Sequence, residues 1–183
     1  MQAIIFHGTK GSPEINWFPW LKDKLDAEGW EAWIPAMPTP ENQSPDSWLA
    51  ALKEQVTDYS QPQALIGHSL GATFVLHLLE SGICKTDKTV LVSPVLDKIG
   101  KPEYDTLNAP FIKKSFYWET IGQNAGDVFI LHGDDDPYVP PEQARQLGQH
   151  LHTTPRLIQG GGHLNAESGY TELPLLLDIL DAV

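Results

Sequence analysis

The sequence predicts an α/β fold, a parallel sheet with helices on both faces, and three observations carry that reading. Short β-rich apolar runs alternate with segments of helical period along the whole chain. Several of these runs are continuously apolar, the pattern of strands buried on both faces. The chain has 183 residues, 41% of them hydrophobic, which suits one core, so residues 1–183 read as a single domain.

The strands are expected at residues 3–6, 31–34, 64–66, 89–92, 127–131 and 156–158, six in all. Between the first two, Trp17, Leu21 and Leu25 recur at i, i+4 and i+8, and Gly29 follows as a C-terminal stop. Ser44 and Pro45 give an N-cap and N1 pair for a second helix, whose apolar face is Trp48, Leu49, Leu52 and Val56. Further helices are expected over 69–79, 140–150 and 171–182. Residues 93–118 carry Pro94, Gly100, Pro102 and Pro110 without sustained periodicity. They read as a long excursion with at most a short helix near its end, and as the place to look for a lid.

Composition narrows the function. Lys and Arg number 12 against 24 Asp and Glu, and the net charge of −12 repels phosphate backbones and anionic lipid surfaces. Nucleic acid is therefore not an expected partner. The apolar runs stop short of a membrane span, and the N-terminus MQAIIFHG has no basic region of an export signal. A lone Cys84 forms no intrachain disulfide, so the cytoplasm is the expected location.

Gly67-His68-Ser69-Leu70-Gly71 lies between an apolar strand run and a helical run. In that context a G-x-S-x-G pentapeptide makes a sharp turn that lifts a hydroxyl clear of the sheet, with glycines where strand and helix backbones approach. Ser69 is the candidate nucleophile. A serine needs a general base and a group to orient it, and both follow in the chain. Gly160-Gly161-Gly162-His163 supplies His163 as the base on a loop after the last strand run. The acid lies within Asp134-Asp135-Asp136-Pro137, after the fifth run. Asp136 is chosen because the proline keeps it out of helical backbone, with Asp134 a competitor. Backbone N–H groups of Leu70 and Thr9, or in second place Lys10, are the candidate oxyanion donors. His132 and His163 show no metal-ligand spacing, so neither metal nor cofactor is expected.

With these residues in place, the sequence resembles the α/β-hydrolase superfamily, specifically the small serine hydrolases typified by retinoblastoma-binding protein nine and Bacillus YdeN. The resembling segments are Asn16-Trp17-Phe18-Pro19-Trp20-Leu21-Lys22, Met37-Pro38 with Trp48, His68-Ser69-Leu70-Gly71, Asp135-Asp136-x-x-Val139-Pro140, and Gly161-Gly162-His163 with Leu173-Pro174. They span nearly the whole chain. The resemblance implies a compact α/β-hydrolase fold, with a six-stranded, mostly parallel sheet and no large cap domain. It implies a Ser69-Asp136-His163 triad and supports Asp136 over its neighbours.

The expected activity is hydrolysis of small carboxylic esters or thioesters through an acyl-enzyme, with a small acyl compound as partner. The alternative is a protein-interaction module on the same fold, with a protein partner and little hydrolysis. Trp17 and Trp20 are candidate pocket walls, with core packing as the competing role. His7 and His68 border the site, where structural hydrogen bonding is expected of them.

Overall fold

The computed structural model describes residues 1–112 and 115–181. Six strands, β1 (Gln2–Phe6), β2 (Glu31–Trp33), β3 (Ala64–His68), β4 (Lys88–Val92), β5 (Asp127–Gly133) and β6 (Arg156–Ile158), form one sheet. Their order is β2-β1-β3-β4-β5-β6, and each neighbouring pair is parallel.

Alternate residues of the central strands feed two separate cores. Ile4 and Phe6 of β1, Leu65 of β3 and Leu91 of β4 join one cluster; Ala3, Ile5, Ala64, Ile66, Val90 and Val92 join the other. The first face is covered by α2 (Pro45–Gln55), α3 (Leu70–Ser81), α5 (Trp118–Asn124) and α6 (Pro141–His150). The second is covered by α1 (Phe18–Ala27) and α7 (Leu175–Leu180). Burial on both faces is why these strands read as unbroken apolar runs. Each fully buried Leu or Ile contributes about 1.5–3 kcal/mol.

The expected start of α2 is present. Ser44 Oγ accepts from the Ser47 N–H at 3.1 Å, Ser47 Oγ accepts from the Ser44 N–H at 3.1 Å, and Pro45 follows at N1. Elsewhere the helices differ from expectation. The 93–118 excursion holds α4 (Pro102–Asn108) in its middle, started by Pro102 and by Glu103 and Asp105 in the first turn. A short helix was expected near the excursion's end, and α5 begins at its last residue; it buries only Ile121 and Asn124, too few residues to set up a visible period. The last helix begins after Pro174, whose ring cannot sit inside a helix, so the expected start at 171 fails. Residues 113 and 114 of the excursion and residue 182 of the last expected helix lie outside the described residues. Among the described residues no helix is long and apolar enough to cross a membrane.

The chain runs from β1 outward to β2, then crosses back past β1 to β3 and continues the other way. Strand order therefore switches at β1 and β3. In open α/β sheets, the crevice at the carboxyl ends of such a pair is where ligands bind.

Candidate functional site

Ser69 stands at that switch, between β3 and α3, with φ 57° and ψ −122°. Holding a residue with a side chain there costs about 1–3 kcal/mol, and the surroundings must impose it. They do so through backbone bonds and close packing. The Ser69 N–H donates to Val92 O at 2.9 Å, and its carbonyl accepts from the Ala72 N–H at 3.1 Å. A Cβ on Gly67 would lie 2.5 Å from Ala72 N, and one on Gly71 would lie 2.6 Å from His7 O. Both glycines of the pentapeptide thus serve the approach of β3, α3 and the end of β1.

Asp136 and His163 are joined directly: His163 Nδ1–H donates to Asp136 Oδ2 at 2.7 Å, and the carboxylate is fully buried. Asp136 Oδ1 accepts the N–H groups of Tyr138 at 2.8 Å and Val139 at 3.0 Å. Burial alone would raise the Asp136 pKa, but the bond and charge of His163 and the two amides outweigh it and hold the carboxyl below its ordinary value. Asp134 and Asp135 lie exposed on the turn, where Asp134 Oδ1 accepts the Gly160 N–H at 2.9 Å and Asp135 Oδ1 the Gly162 N–H at 2.8 Å. The three carboxylates divide their work, one on the imidazole and two on the glycine loop behind it.

Ser69 and His163 line one cavity of about 180 Å³, with Thr9, Val95, Tyr104 and Tyr138 among its walls. Among the described residues no hydrogen bond joins Ser69 Oγ to the ring of His163; such contacts often tighten only when substrate binds. Thr9 is on the cavity wall, and Leu70 opens α3, where the first N–H groups have no acceptor within the helix. The Lys10 N–H donates to Thr39 Oγ1 at 2.8 Å, which commits it elsewhere. Thr9 is tied down by its side chain, whose Oγ1 donates to Asn108 Oδ1 at 2.5 Å and accepts from Gln43 Nε2 at 3.3 Å.

The tryptophans are corrected. Trp17 is fully buried, edge-on to Phe18 and His68, and its Nε1–H donates to Leu164 O at 3.0 Å. Trp20 packs half-buried against the same core. Neither lines the cavity, because their helix turns its aromatic face to the sheet. The aromatic walls are Tyr104 and Tyr138, whose rings lie 6.1 Å apart. Sequence reasoning passed over both. Tyr138 sits two residues beyond Asp136, a signal that could have found it; Tyr104 lies in the aperiodic excursion and had none. The Glu167 carboxylate that the Tyr138 hydroxyl bonds at 2.7 Å pushes the phenol up to about 12, so it stays protonated.

Three buried histidines surround the site. His7 Nδ1–H donates to Gly8 O, His68 Nε2–H to His163 O and His132 Nε2–H to Val139 O, each at 2.9 Å. The carbonyl partners fix which nitrogen bears the proton. Burial lowers all three pKa values, that of His68 to about 3, so each is neutral.

A family model described as "Serine hydrolase" matches residues 3–182. YdeN of Bacillus subtilis (strain 168) is 31% identical over 98% of this chain and 94% of its own length. The crystal structure of that gene product superposes with a TM-score of 0.88, covering 99% of this chain and 97% of the other. The serine hydrolase RBBP9 of Rattus norvegicus is 22% identical over 82% of this chain and 80% of its own. Est1E from Butyrivibrio proteoclasticus, solved with ferulic acid bound, shares the fold, with TM-score 0.68 at 18% identity over 98% of this chain and 86% of its own.

Proposed function

The chain belongs to the serine hydrolase family and has the α/β-hydrolase fold, and on that premise we propose that it hydrolyses small carboxylic esters or thioesters through a Ser69-His163-Asp136 triad. One observation carries this reading: a buried carboxylate orients an imidazole that shares a small cavity with a serine on a strained strand-to-helix turn. Ser69 Oγ attacks the acyl carbon as His163 Nε2 takes its proton. Asp136 holds the Nδ1–H tautomer and stabilises the imidazolium. The oxyanion is received by the N–H groups of Thr9 and Leu70, each worth about 2.7–4 kcal/mol in comparable sites. His163 then returns the proton to the leaving alcohol or thiol, and water hydrolyses the acyl-enzyme by the same route.

The cavity of about 180 Å³ is smaller than the roughly 300–1,000 Å³ that holds a drug-sized ligand, which favours a short acyl group. p-Nitrophenyl esters of increasing chain length, assayed with wild type and Ser69→Ala, test the proposal. The shortest esters should turn over fastest, and Ser69→Ala should lose that turnover. Undiminished turnover in the variant would remove Ser69 from its role. Absent turnover in folded wild type would favour the protein-interaction alternative.

A further inference from the structure

Nothing in the triad itself accounts for how the base is held over the nucleophile. His163 follows Gly160-Gly161-Gly162, of which Gly160 and Gly162 have φ of 64° and 52°, and such a run has no intrinsic preference for one shape. A misplacement of about 1 Å in a catalytic group can cost on the order of 100-fold in rate. The backbone of His163 is nonetheless fixed at both of its polar groups. Its N–H donates to Ser168 Oγ at 3.1 Å. Its carbonyl accepts two bonds, from His68 Nε2–H at 2.9 Å and from the Ser93 hydroxyl at 3.1 Å.

The two donors come from the strands that flank the cavity. His68 is the residue immediately before Ser69, and its ring meets the His163 ring at 4.8 Å between centroids. Ser93 follows β4; its N–H donates to Leu131 O at 2.8 Å and it is wholly buried. Ser93 has φ 46°, and Leu164, directly after His163, has φ 48°. Two strained non-glycine residues, Ser93 and Leu164, thus stand at the peptide group that follows His163. Strain of this kind persists only where neighbouring contacts impose it. Here it aims the Ser93 hydroxyl at a carbonyl instead of letting the chain relax.

We propose that His68 and Ser93 are positioning residues for the base: paired donors to the His163 carbonyl that fix the imidazole relative to the nucleophile, a role that rests on the triad reading above. The link is short and covalently continuous. From Ser69 Oγ it runs through one peptide bond to His68, and from there through one hydrogen bond to the backbone of His163. Any shift of the turn that carries the nucleophile thereby moves the base with it, and the reacting pair keeps its separation. His68 performs this role as a neutral donor. A cationic ring 4.8 Å from His163 would oppose the imidazolium that catalysis forms.

The test is the second-order rate of Ser69 labelling by a fluorophosphonate, together with kcat and KM for a short p-nitrophenyl ester. Four proteins are compared: wild type, Ser93→Ala, His68→Gln and His68→Leu. Gln places an amide N–H where the imidazole Nε2–H stood; Leu supplies no donor. Ser93→Ala and His68→Leu should each slow labelling about tenfold, with kcat reduced and, for Ser93→Ala, KM unchanged because Ser93 is not on the cavity wall. His68→Gln should recover most of the loss seen with His68→Leu. A purely structural role would lower the thermal midpoint without that rescue and without a kcat-specific loss. If His68→Leu does not fold, Ser93→Ala and His68→Gln still decide the matter. Wild-type labelling rates in folded Ser93→Ala and His68→Leu would overturn the positioning role and leave the triad standing. Wild type that takes no label would overturn the triad reading itself.

Discussion

Lowering the pH should destabilise this protein through His68 before the carboxylates are protonated. The His68 ring is enclosed by Trp17, Phe18 and His163, and burial depresses its pKa from 6.5 to about 3. In the unfolded chain the same ring takes a proton near 6.5. Between these values the unfolded state holds one more proton than the folded state, so stability declines as pH falls, at about 1.4 kcal/mol per unit. At about pH 5 the loss from this one residue is roughly 2 kcal/mol, a large part of a typical stability of about 5–15 kcal/mol. His7 and His132, also lowered by burial, act in the same direction. Urea unfolding of wild type and His68→Gln at about pH 7.5 and 5 isolates the residue. Wild type should lose about 2 kcal/mol more than the variant between the two conditions. Equal losses in the two proteins would refute the claim that His68 is buried neutral.

Further outcomes follow from the geometry. Gly71→Ala should reduce stability by about 1–3 kcal/mol and abolish ester turnover, because its Cβ meets the carbonyls of Phe6 and His7; thermal melts and the ester assay read both effects. Asp136→Asn should cut kcat by about four orders of magnitude, since an amide in place of Oδ2 favours the wrong imidazole tautomer. The Asp136 carboxylate also stabilises the fold at neutral pH. That contribution is lost only as pH falls through its lowered pKa, so Asp136→Asn should flatten the acid limb of the stability curve. Asn108→Ala should lower kcat by leaving the Thr9 hydroxyl without its acceptor and freeing the Thr9 loop, at about 1–3 kcal/mol in stability by urea titration. Cys84, buried with its thiol pushed up to about 12, should react with a disulfide reagent only on unfolding, as absorbance of the released thiolate will show.

The features legible in the sequence are those that a short stretch of chain enforces. Strand runs such as 64–66 declare themselves because both faces are buried, so each position is apolar. The pentapeptide around Ser69 was readable because Gly67 and Gly71 stand where backbones collide with any side chain. Asp136 was preferred to its neighbours through Pro137, a local constraint, whereas the bonds from Asp134 and Asp135 to the glycine loop span 26 and 27 residues and left no local trace. Trp17 misled for a related reason. Its position beside the first loop suggested a pocket wall, but the orientation of α1 depends on the packing of the entire second core. The part of the excursion that walls the cavity, with Tyr104 and Asn108, has only seven helical residues and a polar face inward, so hydrophobic period could not reveal it.

The central claim is that Ser69 is an activated nucleophile, and intact-mass measurement after reaction with a fluorophosphonate addresses it most directly. Wild type should gain one adduct, mapped by peptide fragmentation to Ser69, while Ser69→Ala gains none and His163→Ala gains it far more slowly. An adduct on a different residue, or one that persists in Ser69→Ala, would contradict it.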